Sequence, residues 1–179
     1  MLEKFRFTIG MAYARFHFRR KKDHAVNFTD ILTRAHRVLV IFPEKEFDAD
    51  SASTVLRYLL RRFSARGILV LIRNDFLHVL SSAPPVKTLV YTKEDVSRWF
   101  IPKTDVITRL ASNTFDAAVD LNVSLSLAGA FLCKASNAPL RISFTKPEGD
   151  FFYNFQVQLK ESSNTVSTLR NFLKCLDMF

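Results

Sequence analysis

Two clusters of polar side chains follow apolar runs in this chain. After VLVIF (38–42) come Glu44, Lys45, Glu46, Asp48 and Asp50. FDAAVDL (115–121) carries Asp120 at its end and is followed by Asn122, Ser124 and Ser126. A carboxylate at the tip of a buried strand can act as a general base toward a hydroxyl nucleophile. Asp50, Asp120, Asn122 and Ser124 are therefore read as candidate ligand-binding residues, and Asp48 as a candidate for proton transfer. The competing reading is structural. Asp48 or Asp50 can cap the helix that follows the first run, and Asp120 can satisfy loop amides.

Other chemistries find little support. The chain has only 4 glycines and contains neither GxGxxG nor GxxxxGK[ST], so a nucleotide is not held in the common ways. Its 4 histidines, at 17, 24, 36 and 78, have no metal-ligand spacing, and there is no GxSxG elbow. Cys133 and Cys175 lie far apart in apolar helical segments and read as buried, reduced thiols. The reading includes no metal and no cofactor. With no secretory signal visible and no apolar run near the roughly 20 residues that cross a bilayer, the expected location is the cytoplasm, with peripheral contact to the inner membrane left open.

The elements that must position these residues follow from periodicity. Continuous apolar runs at 38–42 and 68–72 suit strands buried on both faces, and a further strand is expected over 115–121. Shorter strands are expected over 88–91 and 140–144, with a last one over 152–159. Helices are predicted between them. The clearest places Ala52, Val55, Leu56, Leu59, Leu60 and Phe63 on one stripe and ends at Gly67. A short helix, FTDILTRA, is capped by Asn27 or Thr29. Others are predicted over 94–99, 104–110, 125–135 and 164–179, with Leu173 inward on the last. The alternation predicts an α/β fold: one doubly wound, mostly parallel sheet of five or six strands, Rossmann-like. In such sheets ligands bind at the carboxyl ends of the strands, near the point where strand order reverses.

The 179 residues carry a net charge of +9. Residues 1–22 hold seven cations against Glu3 alone and so contribute +6 of it. We divide the chain into a basic N-terminal arm, 1–26, and an α/β domain, 27–179. The arm has helical spacing at Leu2, Phe5, Ile9, Ala12, Tyr13 and Phe16. Several uses fit it: packing its Phe face on the domain, binding RNA or a ribosomal surface, or lying on an anionic membrane. A cleaved targeting segment is a further alternative. Arg15, Arg19, Arg20, Lys21 and Lys22 are the candidate contacts to an anionic surface.

Two resemblances enter at these residues. FDAAVDLN…LCKASNAPLRISF resembles the first domain of bacterial heptosyltransferases (glycosyltransferase family nine), with its apolar strand ending in Asp-Leu, its helix, its small-residue turn and a closing strand like Arg141-Ile142-Ser143-Phe144. VLVIFPEKEFDADSASTVLRYLLRRF is similar to that family's first strand, loop and helix, where a Gly-Asp pair supplies the proposed catalytic base. On that resemblance Asp48 takes the base position, with Phe47 where the family has glycine. Those enzymes hold the acceptor on the first domain and the nucleotide sugar on a second. Over roughly 25–179 the chain also resembles a family of small proteins from Bacteroidota-like bacteria. The likeness rests on the basic arm, YTKEDVSRWFIPK (91–103), the VDLN…SNA region and the helix after FYNFQVQL. It implies no activity, and it implies that one domain is normal for the group.

The expected function is a glycosyltransferase-like single domain that binds a sugar, a lipid-linked acceptor or a nucleotide. Autonomous catalysis is not expected, because transfer needs both reactants in one water-poor cleft; a partner chain would supply the second half. Any activity would be heptosyltransferase-like glycosyl transfer. The alternative is a basic-armed adaptor for RNA, the ribosome or an anionic membrane. Binding to phosphates or anionic lipid weakens steeply with salt, whereas sugar binding does not.

Overall fold

In the computed structural model, which describes residues 2–21, 27–44, 49–63, 67–158 and 165–176, the apolar runs line up as one all-parallel sheet. Its strands are β1 (Val38–Ile41), β2 (Ile68–Arg73), β3 (Lys87–Tyr91), β4 (Ala117–Asp120), β5 (Leu140–Phe144) and β6 (Phe155–Val157). The order is β3-β2-β1-β4-β5-β6. β1 lies between β2 and β4, with Val38 opposite both Ile68 and Ala117. The chain builds outward from β1 to β3, then crosses back to β4 on the other side. The strand order therefore reverses between β1 and β4, and their carboxyl ends flank a natural crevice.

Period-two alternation sends successive side chains to opposite faces. Val38, Val40, Val70, Val119 and Ile142 join one apolar layer, covered by α2 (Phe28–Arg34), α3 (Ala49–Arg62) and α6 (Thr165–Leu176). Leu39, Ile41, Leu69, Leu71 and Ala118 join the other, covered by α1 (Leu2–His17), α4 (Thr104–Ala111) and α5 (Leu127–Ala135). Leu56, Leu59, Val119, Phe131 and Leu173 are all buried, as the stripes predict.

Several local expectations need correction. No helix forms over 94–99. Asp95 Oδ2 accepts from the Thr92 amide at 2.8 Å, and Ser97 Oγ accepts from the amides of Trp99 and Ile101, each at 3.3 Å. Short polar side chains thus capture the backbone groups a helix would use, and Val96 bridges to Pro102 instead. Within this turn Phe100 has φ 61°, left-handed for a bulky residue. α2 starts after Asn27, but that side chain makes no capping hydrogen bond. α5 begins two residues later than predicted, after Ser126, whose Oγ accepts from the Gly129 amide at 3.2 Å.

The arm's helix also packs differently from its predicted stripe. Gly10, Met11, Ala14 and, just past the helix, Phe18 are the buried residues. Leu2, Phe5, Tyr13 and Phe16 instead remain 61%, 59%, 50% and 62% exposed. The small face decides the docking, because it lets the helix come close. A Cβ at Gly10 would run into the carbonyl oxygen of Trp99 and come within 2.7 Å of Leu127 Cδ2.

Two expected outcomes follow from this packing. Gly10→Val should lower unfolding free energy by about 1–3 kcal/mol, as overpacking does, read by urea denaturation; no loss would mean that α1 is not held this close. At the other end of the sheet, Asp116 Oδ2 accepts from the amides of His36 and Arg37 at 2.9 and 2.8 Å. Burial opposes ionisation there, but these amides and the Arg37 guanidinium prevail and hold the carboxyl below its ordinary value. Asp116→Ala should cost about 1–3 kcal/mol. A depressed carboxylate stabilises above its unfolded-state value, so the gap from wild type should be full above about pH 5 and close as pH falls through the lower folded-state value. A gap constant down to acid pH would refute the clamp.

Candidate functional site

The crevice predicted from strand order is occupied by a cavity of about 920 Å³. Pro43 and Glu44 after β1, Arg73 at the end of β2, and the loop from Asn122 to Ser126 after β4 form its sheet side. Lys93, Val96, Ser97 and Phe100 close another wall, and Glu3, Lys4, Phe7 and Thr8 of α1 a third.

The Glu44 carboxylate in this cavity is held by three side chains. Its Oε1 accepts from the Tyr91 hydroxyl at 2.7 Å and from Ser126 Oγ at 2.9 Å, while Oε2 lies 3.4 Å from Arg73 Nη1. The parallel register places Arg73 opposite Tyr91, so β2 and β3 deliver their terminal side chains to the same carboxylate. Burial, and then the charge of Glu44, push the Tyr91 phenol far above its ordinary value, so it stays a donor. Arg73 is also 3.6 Å from Asp75 Oδ2 and stacks 4.9 Å from the Phe76 ring centroid. Its Nε is buried and finds no acceptor among the described residues.

Beneath the cavity Asp120 is sealed. Oδ1 accepts from the backbone amide and side-chain amide of Asn122 at 2.9 and 2.7 Å. Oδ2 accepts from the Tyr153 hydroxyl and pairs with Lys146 Nζ at 3.6 Å. Lys146 also donates to the Asn122 carbonyl at 2.6 Å. Asn122 Oδ1 then accepts from the Glu44 amide at 3.0 Å, which ties the tip of β4 to the tip of β1. Burial and the adjacent Asp120 charge push the Tyr153 phenol well up, so its proton stays on this bond.

The sequence-predicted residues therefore divide. Asn122 and the exposed Ser124 line the cavity. Asp120 lies below it and acts on it through Asn122. Asp50 is exposed in the first turn of α3 and is not part of the cavity lining. Asp48 lies outside the described residues, as does Lys22. Of the basic residues, Arg15 pairs with Glu148 at 2.5 Å, and Lys21 donates to the Lys134 carbonyl at 2.5 Å, whereas Arg19 and Arg20 are exposed. Among the described residues no group of three or more His, Cys, Asp or Glu side chains is placed to hold a metal ion, and no helix is long and apolar enough to cross a membrane.

Residue-level reading missed the site roles of Arg73, Tyr91, Lys146 and Tyr153. Arg73 and Tyr91 each end an apolar run, and Lys146 closely follows one, so the signal was a polar residue at a strand's carboxyl end. Which of these tips meet depends on strand order.

No protein-family model matches the chain, and no curated protein matches it. Solved structures do. The chain is similar to the glycosyl transferase family 9 protein from Veillonella parvula DSM 2008, with a TM-score of 0.63 and 15% identity over 83% of this chain and 42% of that one. It is also similar to E. coli heptosyltransferase WaaC, solved with ADP, with a TM-score of 0.53 and 12% identity over 78% of this chain and 46% of that one. At such identities the likeness is one of fold: a Rossmann-like α/β domain like that of the family 9 glycosyltransferases. The chain spans less than half the length of either protein.

The buried pair below the cavity yields a direct test. Asp120→Asn removes the countercharge of Lys146, which is 7% exposed. Stranding a buried ammonium should cost about 3–5 kcal/mol, measured by denaturant titration at neutral pH. A loss under about 1 kcal/mol would show that Lys146 does not depend on Asp120.

Proposed function

We propose that this chain binds a sugar, presented as a nucleotide sugar or on a lipid-linked acceptor, in the cavity at the carboxyl edge of its sheet. The observation that carries the reading is Glu44, a carboxylate fixed by Tyr91, Ser126 and Arg73 at the rim of that cavity. Nearby stand the hydroxyls of Ser97 and Ser124, the amide of Asn122 and the ring of Phe100. Carboxylate and amide groups accept and donate to ring hydroxyls, while an aromatic face covers the apolar side of a pyranose. The Arg73 Nε, which finds no acceptor among the described residues, suits a phosphate or hydroxyl oxygen, because a buried donor left unpaired is costly. The fold shared with two transferases supports a sugar over other polar ligands. WaaC was solved with ADP, so a nucleotide is one arm of the test.

Binding is assigned to this domain, and transfer to its pairing with a second body. Glycosyl transfer needs an acceptor and a donor aligned in a cleft that excludes water. This cavity offers one wall of such a cleft. A partner chain carrying the donor half would complete it, with Asp48 as the candidate base.

Calorimetric titration with free hexoses and heptoses, sugar phosphates, ADP and nucleotide sugars tests the reading. At least one sugar-bearing compound should bind saturably, with little dependence on salt for a neutral sugar. Glu44→Gln and Arg73→Ala should each weaken binding by roughly tenfold to a hundredfold, the loss expected for a charge-assisted hydrogen bond. Binding of none of these compounds, or binding indifferent to both substitutions, would overturn it.

A further inference from the structure

Helix α1 carries two apolar faces, and among the described residues the domain buries one. Gly10, Met11 and Ala14 pack inward. With 3.6 residues per turn, the far side presents Leu2, Phe5, Ile9, Ala12 and Phe16 at i, i+3, i+7, i+10 and i+14, with Tyr13 alongside. Four of these are large and half or more exposed: Leu2 61%, Phe5 59%, Tyr13 50% and Phe16 62%. The line is about 21 Å long at 1.5 Å per residue. Its rim is cationic. Arg6 lies beside it, exposed Arg19 and Arg20 stand at its end, and Glu3 is the helix's single acid. The Arg19 guanidinium lies 4.1 Å from the centroid of Phe16. Tyr13, Phe16, His17, Arg19 and Arg20 together enclose a shallow depression of about 280 Å³.

A face with hydrocarbon and rings along its centre and cations at its margin matches an anionic bilayer surface. Rings enter the acyl boundary while guanidinium groups meet phosphates. The other occupants fit less well. A second copy of this chain would bring the same cationic rim against itself. A nucleic acid calls for cations across the middle of the face, where this one is apolar.

We propose that α1 lies in the plane of an anionic phospholipid surface, with Leu2, Phe5, Tyr13 and Phe16 inserted and a lipid phosphate held in the depression beside Arg19 and Arg20. This goes beyond sugar binding and does not rest on it. It has a consequence for the cavity, since Glu3, Lys4, Phe7 and Thr8 of the same helix line it. One helix diameter, about 10–12 Å, then separates headgroups from cavity, within reach of a lipid-borne ligand.

The test is flotation of the full chain with vesicles of phosphatidylcholine alone and of phosphatidylcholine mixed with phosphatidylglycerol. The protein should float with the mixed vesicles and only weakly with the neutral ones, and added salt should weaken the attachment. Phe5→Ser combined with Phe16→Ser should lower partitioning by about tenfold or more, with an unchanged Tm because both rings are exposed. Leu2→Gln repeats the test at the helix's first turn should the double variant misfold. Arg19→Gln and Arg20→Gln should each lower partitioning by about fivefold. Failure to float with anionic vesicles would overturn the proposal, as would flotation indifferent to the Phe and Leu substitutions. So would a dimer in sedimentation that Phe5→Ser dissolves, or binding of an RNA oligomer that the arginine variants lose and the Phe variants keep. None of these readouts involves a sugar, so this proposal and the sugar-binding reading fail separately.

Discussion

The buried ion pair of Asp120 and Lys146 is the constraint on which the cavity depends. Two charges removed from water are costly, and further hydrogen bonds around the pair help to offset the cost. Asp120 takes two bonds from Asn122 and one from Tyr153, and Lys146 returns a bond to the Asn122 carbonyl. Asn122 is therefore held at both its backbone and its side chain. The oxygen left over fixes the Glu44 amide, so Glu44 after β1 and the tip of β4 share one frame. A flexible loop at either position would let the cavity close or wander. The pair instead gives the crevice a rigid floor, on which Glu44 is presented with its hydrogen bonds already made.

Rigidity below is matched by a wall that comes from outside the alternating strand-and-helix pattern. α1 precedes the first strand, yet it covers the same sheet face as α4 and α5 and closes one side of the cavity. Close approach at Gly10 allows this, and Arg15 to Glu148 and Lys21 to the Lys134 carbonyl hold its far end. One short helix thus serves three surroundings: the core, the cavity and the outer surface. On that outer surface Leu2, Phe5, Tyr13 and Phe16 stay half or more exposed among the described residues, with Arg19 and Arg20 beside them.

The strands, their direction and most of the core were legible in the residues themselves. Apolar runs such as 38–42 and 68–72 are long enough, and rich enough in Val, Ile and Leu, to specify strands buried on both faces. The stripe from Ala52 to Phe63 specified the face of α3. Asn122 and Ser124 could be placed at the carboxyl edge of the sheet, where they line the cavity, because polar residues just after buried strands gather at one edge of a parallel sheet. These features depend on neighbours within one element or one turn, and local periodicity records them.

Only the tertiary structure decided which of α1's apolar faces turns inward, since Leu2, Phe5 and Phe16 form the stronger stripe by hydrophobicity while Gly10 and Ala14 form the closer-packing one. It likewise sent Asp120 beneath the cavity and brought Glu44 after β1 together with Arg73 and Tyr91 at the ends of β2 and β3. In each case the outcome rests on distance between parts remote in sequence: the room available to a Cβ, the partner that repays a buried charge, the strand that happens to lie alongside. Periodicity within one element determines which residues can be buried; the packing of one element on another decides which of them are.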